Sequence, residues 1–71
     1  MKQITYLCPT KELSNNSYWL LDNGMGDLEV EYNRFIFIKG HPMEKNVTLY
    51  VTDEQSTLIS LKYVVFLIRN I

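Results

Sequence analysis

The chain has no alanine, one cysteine, one histidine, two prolines and three glycines among its 71 residues. Each scarcity excludes something. A single cysteine rules out an internal disulfide. One cysteine with one histidine leaves a zinc site within one chain short of ligands. Alanine is the strongest helix former, and its absence beside many β-branched and aromatic residues leans the chain toward strand. No apolar run nears the roughly 20 residues of a membrane helix; the longest is the six-residue YVVFLI, Tyr63 to Ile68. The N-terminal MKQITYLCP carries one lysine and no apolar run of leader length. The expectation is therefore no secretion leader and a cytoplasmic setting. On that expectation the acceptor patterns at Asn15 and Asn46 read as chance matches.

Charge of one sign is also scarce, with seven bases against eight acids and a net charge of −1. The bases at Lys2, Lys11, Arg34, Lys39, Lys45, Lys62 and Arg69 never form a run, so no large field points to nucleic acid or to a membrane surface. The one asymmetry is acidic: Asp22, Asp27, Glu29 and Glu31 follow one another without a base between them, a stretch that repels phosphate. Seventy-one residues make a single small β domain over 1–71. A domain this short buries only roughly 60–65% of its unfolded surface, and with disulfide and metal excluded, self-association is the remaining common support. The wealth of Ile, Asn, Lys and Tyr codons is of the kind that phage and plasmid genes carry.

What is present reads as short strands between breaks. KQITYLC is a strand ended by Pro9. PTKELSNNS is polar and turn-rich, with at most one helical turn at Lys11–Leu13, and SYWLL is a short apolar strand. DNGMGD breaks the chain. LEVEY alternates, placing Leu28, Val30 and Tyr32 on one face and Glu29 and Glu31 on the other. A bulge at Asn33-Arg34 within one long bent strand would shift the phase, turning Phe35 and Phe37 inward and Ile36 and Ile38 outward. KGHPMEKN is a loop in which Gly40 bends and Pro42 blocks pairing. VTLYVT is a strand with Val47, Leu49 and Val51 on one face. DEQS is a turn, and TLISLKYVVFLIRNI reads as two strands with a break at Ser60–Lys62. The expectation is an all-β domain: a five- to six-stranded antiparallel sheet or a partly open SH3-like barrel.

No cluster assembles a reaction centre. His41 sits in the loop without an orienting partner. Cys8 ends an apolar strand without a cation or base to activate it. DNGMGD lacks the spacing of a calcium loop and the lysine of a phosphate cradle. The expectation is a non-enzyme without metal or cofactor.

The positive signal is apolar surface in excess. FIFI and YVVFLI do not alternate, so both faces of those strands call for cover, and an all-β reading supplies no second layer. Ile36, Ile38, Val64, Phe66 and Ile68 are therefore the expected self-association residues, with a homodimer the simplest assembly. Tyr18, Trp19 and Tyr50 are the candidate anchors for a partner protein, and Asp27, Glu29 and Glu31 its electrostatic guide. The functional expectation is a small protein-interaction module, such as a phage- or plasmid-encoded inhibitor or regulator. The alternative is a small β-barrel that binds nucleic acid by stacking on its aromatic side chains.

Overall fold

β1, Lys2–Pro9, is the strand the rest of the molecule is built around. The computed structural model describes residues 1–33, 36–41 and 44–71. After β1 come a 3-10 turn at Thr10–Glu12, α1 at Leu13–Asp22, β2 at Val30–Tyr32, β3 at Glu44–Val51, α2 at Asp53–Ser60 and β4 at Val65–Asn70. The strands lie in the order β2-β3-β1-β4, each pair antiparallel. A βαββαβ chain with this order has the split-βαβ topology.

The all-β expectation, five or six strands or an SH3-like barrel, is thereby overturned: the described sheet has four strands, and two helices cover one face of it. SYWLL is the second half of α1 and not a strand. One core-facing position of α1 is the polar Asn16, wholly buried beside Leu20, and it interrupts the apolar period that would have marked a helix. TLIS lies in α2 and not in a strand. Thr52 starts α2 with a capping box: its hydroxyl accepts from the Gln55 backbone N–H while the Gln55 side chain accepts from the Thr52 N–H. That reciprocal pair satisfies two donors otherwise orphaned at a helix start, enough to set a helix against the β-branched Thr57 and Ile59.

α1 ends in a paired-carbonyl cap. Gly24 adopts φ +76°, its N–H donates to the Leu21 carbonyl, and the Met25 N–H donates to the Leu20 carbonyl at 2.8 Å. Glycine takes this left-handed turn without a Cβ penalty, and the motif brings the residues at its two ends together. Leu20 and Met25 both enter the core. The DNGMGD break is thus a helix terminus.

Ile4, Tyr6 and Cys8 of β1 register with Leu49, Val47 and Lys45 of β3. They form one core with Leu20, Met25, Ile59 and Tyr63, so both helices pack on the same face. Val47, Leu49 and Val51 face that core as the alternation of VTLYVT requires.

The opposite face has no helix, yet Gln3, Thr5 and Leu7 are each at most 3% exposed. Two devices roof them. Tyr50 and Arg69 register with Gln3 from either side. The Arg69 Nη2 donates to the Tyr50 hydroxyl at 2.7 Å, closing over Gln3. Below them Thr48 Oγ1 donates to Thr5 Oγ1, which donates to the Val47 carbonyl. Farther along, residues 36–41 of the β2–β3 connection meet this face at two points. Asn46 on β3 donates to the Ile36 carbonyl, and the His41 ring lies edge-on to Phe66 of β4. Leu7 lies between those two contacts. Gly40, at φ +88°, makes the turn that brings the His41 N–H back to the Ile38 carbonyl.

The long bent strand expected through residue 38 does not form. β2 stops at Tyr32, and Asn33 takes φ +61°. Asparagine is among the few residues that tolerate this conformation. Phe37 is 78% exposed, while Ile36 and Ile38 are half-buried, the reverse of the expected phase. The Arg34 part of the proposed bulge, Phe35 and Pro42 lie outside the described residues.

Candidate functional site

The aromatic anchors named from sequence do not share a surface. Trp19 is half-buried, edge-on to Tyr63 at 5.8 Å, with the Lys62 ammonium 5.1 Å from its ring. Tyr63 in turn stacks on Tyr6 at 4.8 Å. This aromatic group is the floor of the helix layer, so Trp19 serves packing more than docking. Tyr18 stands exposed on the outer side of α1. Tyr50 lies across the sheet from both, on the roofed face with Arg69.

The acidic residues are brought partly together. Glu29 and Glu31 line a cleft of about 20 Å³ with Gln3, Thr48 and Tyr50, room for one water. Asp27 lies in the turn between α1 and β2. The expected alternation of β2 holds: Val30 and Tyr32 face the helices, with the Tyr32 hydroxyl 3.0 Å from Ser17 of α1, and the glutamates face the other way.

Cys8 and His41 are separated by the sheet. Cys8 is fully buried in the helix-side core, and His41 contacts Phe66 on the opposite face. Burial pushes the Cys8 thiol up, and the hydrogen bond with the Tyr63 side chain offsets this only in part. A thiol so placed packs as a small apolar side chain, and its thiolate is disfavoured. Burial likewise pushes the Tyr63 hydroxyl up to about 12. Among the described residues no group of three or more His, Cys, Asp and Glu could hold a metal ion. No helix there is long and apolar enough to cross a membrane.

The chain's own helices supply the second layer that the all-β reading lacked, and a contiguous apolar run stays partly exposed on β4, while Tyr18, Leu21, Phe37 and Leu61 are exposed elsewhere. Val64 is 54%, Leu67 57% and Ile68 39% exposed, while Phe66 is half-buried under His41. The Leu7 N–H donates to the Val64 carbonyl. By the alternation of an antiparallel ladder, Val65 and Leu67 then turn their N–H and C=O groups outward from the sheet. Past Leu67 the register with β1 shifts, and Ile68 is the extra residue of a bulge.

The other edge is β2, and beside it runs a feature that sequence reading missed. Between α1 and β2 lie two shallow depressions. The inner one, about 110 Å³, is lined by Leu20, Met25, Gly26 and Val30, and the outer one, about 260 Å³, by Leu13 and Ser14. Ser17 and Tyr32 border both. Nothing in the sequence marks this groove once α1 is read as loop and strand. No protein-family model, curated protein or solved structure matches this chain. Its function is therefore argued from these two edges.

Proposed function

We propose that the chain is a small protein-interaction module that acts as a homodimer, two copies joined edge to edge along β4. One observation carries this reading: a wholly apolar run, Val64 to Ile68, occupies a sheet edge whose outward backbone groups have no partner strand among the described residues. Such an edge is a template for another chain. The run also suits itself. With a two-fold axis at Phe66, Val65 of one copy faces Leu67 of the other, and the outward groups of both pair in four hydrogen bonds. Arg69, the one charge in β4, lies beyond the bulge and away from the axis. The bulge confines pairing to the straight part of the strand.

Of the residues expected at such a contact, Val64, Phe66 and Ile68 belong to this edge, whereas Ile36 and Ile38 lie half-buried in the β2–β3 connection. Val64, Leu67 and Ile68, each about half exposed, contribute about 1 kcal/mol apiece in each copy when covered. Association itself costs on the order of 4–15 kcal/mol, so the dimer is weak and depends on concentration.

Light scattering over a dilution series from about millimolar to micromolar tests this. The mass should approach twice the 8.4 kDa of the chain at the concentrated end and fall toward one chain on dilution. Leu67→Lys, at an exposed position outside the core, should hold it at one chain. A wild-type protein that stays monomeric throughout the series defeats the reading.

A further inference from the structure

β2 presents a second edge with a different chemistry. The Asn33 N–H donates to the Asn46 carbonyl, so 33 with 46 and, two residues on, Glu31 with Thr48 are the bonded pairs of the ladder. Val30 and Tyr32 consequently turn their N–H and C=O groups outward, away from β3. They stand about 6.5–7 Å apart by strand geometry. Val30 borders the inner depression and Tyr32 the outer one, with the Ser17–Tyr32 hydroxyl pair as the bar between them. Among the described residues β2 pairs with β3 alone, and a strand edge open on one side beside two depressions is an arrangement that binds an extended chain.

The segment that forms this edge is one-sided in charge. From Glu12 to Asn33 the chain carries Glu12, Asp22, Asp27, Glu29 and Glu31 and no base, while the rest of the molecule holds all seven bases and only three acids. The segment that carries α1 and β2 is thus net negative in a nearly neutral protein. On β2 the two chemistries are sorted by face, with Val30 and Tyr32 toward the groove and Glu29 and Glu31 away from it.

We propose that the α1–β2 groove binds an extended segment of a partner protein by strand addition to β2, a segment in which apolar and basic residues alternate. In an added antiparallel strand, side chains opposite Val30 and Tyr32 enter the depressions, and those between them pass Glu29 and Glu31. Two residues offer only four backbone bonds, so the depressions and the charge set the specificity. The same carboxylates repel phosphate and acidic segments. The site rests on the reading of the chain as an interaction module, but not on the β4 contact, which lies at the far side of the sheet.

The test uses an end-blocked, fluorescently labelled synthetic peptide, Leu-Lys-Val-Arg-Leu-Lys-Val, and a counterpart with glutamate in place of each basic residue. Anisotropy titrations are run on the wild type, Ser14→Trp and Glu29→Lys, and amide shifts are mapped on the full chain. Ser14 and Glu29 are both exposed, and circular dichroism checks that the variants fold. The basic peptide should bind, weaken as salt rises, and move amides within residues 13–32. Each variant should weaken binding by about tenfold or more. Failure of the basic peptide to bind, equal binding of the acidic one, unchanged affinity in both folded variants, or shifts confined to β4 would overturn the assignment. So would a Ser14→Trp variant that splits the protein's own assembly, because the groove would then hold a second copy. Light scattering on the same samples reports the β4 contact separately. A monomer that binds the peptide defeats the dimer and keeps the groove; a dimer that ignores the peptide does the reverse.

Discussion

Replacing Tyr6 by phenylalanine removes one oxygen from the middle of the core. In the native protein the Tyr6 hydroxyl donates to Asn16 Oδ1 and lies 2.6 Å from Asn16 Nδ2, and both residues are wholly buried. Removing the hydroxyl strands a primary amide in an apolar surround, which costs about 1–3 kcal/mol. Asn16→Leu strands the hydroxyl at a similar cost. Removing both partners together leaves no orphan, so the double variant should lose less than the sum of the single losses by at least about 1 kcal/mol. A chain of this length has roughly 4–10 kcal/mol of stability in all. A loss of about 2 kcal/mol would lower the melting temperature by on the order of 10 °C and the urea midpoint by about 2 M. Urea melts followed by circular dichroism, with the four proteins in one thermodynamic cycle, measure these quantities. A Tyr6→Phe variant as stable as the wild type would refute the reasoning, as would strict additivity in the double variant. Either result would mean that the amide finds another partner.

Alkaline pH should act on the same group of side chains. Burial raises the hydroxyls of both Tyr6 and Tyr63, the latter to about 12. Their stabilisation is therefore complete below the unfolded value of about 10 and is lost as pH rises beyond it, by up to about 1.4 kcal/mol per pH unit for each. Urea midpoints should fall between about pH 10 and 12, with phenolate absorbance from these residues appearing only on unfolding; a flat profile across that window contradicts the burial. At the α2 start, Thr52→Ala removes the hydroxyl that accepts from Gln55 and should cost about 1 kcal/mol. Restoration by Thr52→Ser, and little change in thermal melts from a substitution at the neighbouring Glu54, would mark the effect as capping.

Residue spacing identified β1 and β3, the inward set Val47, Leu49 and Val51, and the opposed faces of Val30 and Glu31, because a strand buried against one layer writes its two-residue period directly into the chain. The Gly40 turn and the burial of Cys8 were readable for equally local reasons. The helices were less so. α1 carries Asn16 at a core position, and that polar residue belongs there only because Tyr6, ten residues away, meets it. The apolar run of β4 hid α2 by continuing its pattern, although Thr52 and Gln55 at capping-box spacing were a usable sign. The candidate surfaces divided in the same way. The apolar β4 and the acidic stretch were visible as composition, but Trp19 was drawn inward by Tyr63 and Lys62, and the α1–β2 groove has no counterpart in the linear chain.

The sequence by itself determined the lack of a disulfide within the chain, two alternating central strands, an acidic segment and an apolar last strand, since each of these is written in residue identity and local spacing. The tertiary structure alone decided that Asn16 could be buried, that Arg69 and Tyr50 would close over Gln3, that Cys8 and His41 would lie on opposite sides of a sheet, and that α1 would leave a groove beside the edge of β2. Each of those depends on a partner supplied by another element, and such partners exist only after the chain has folded.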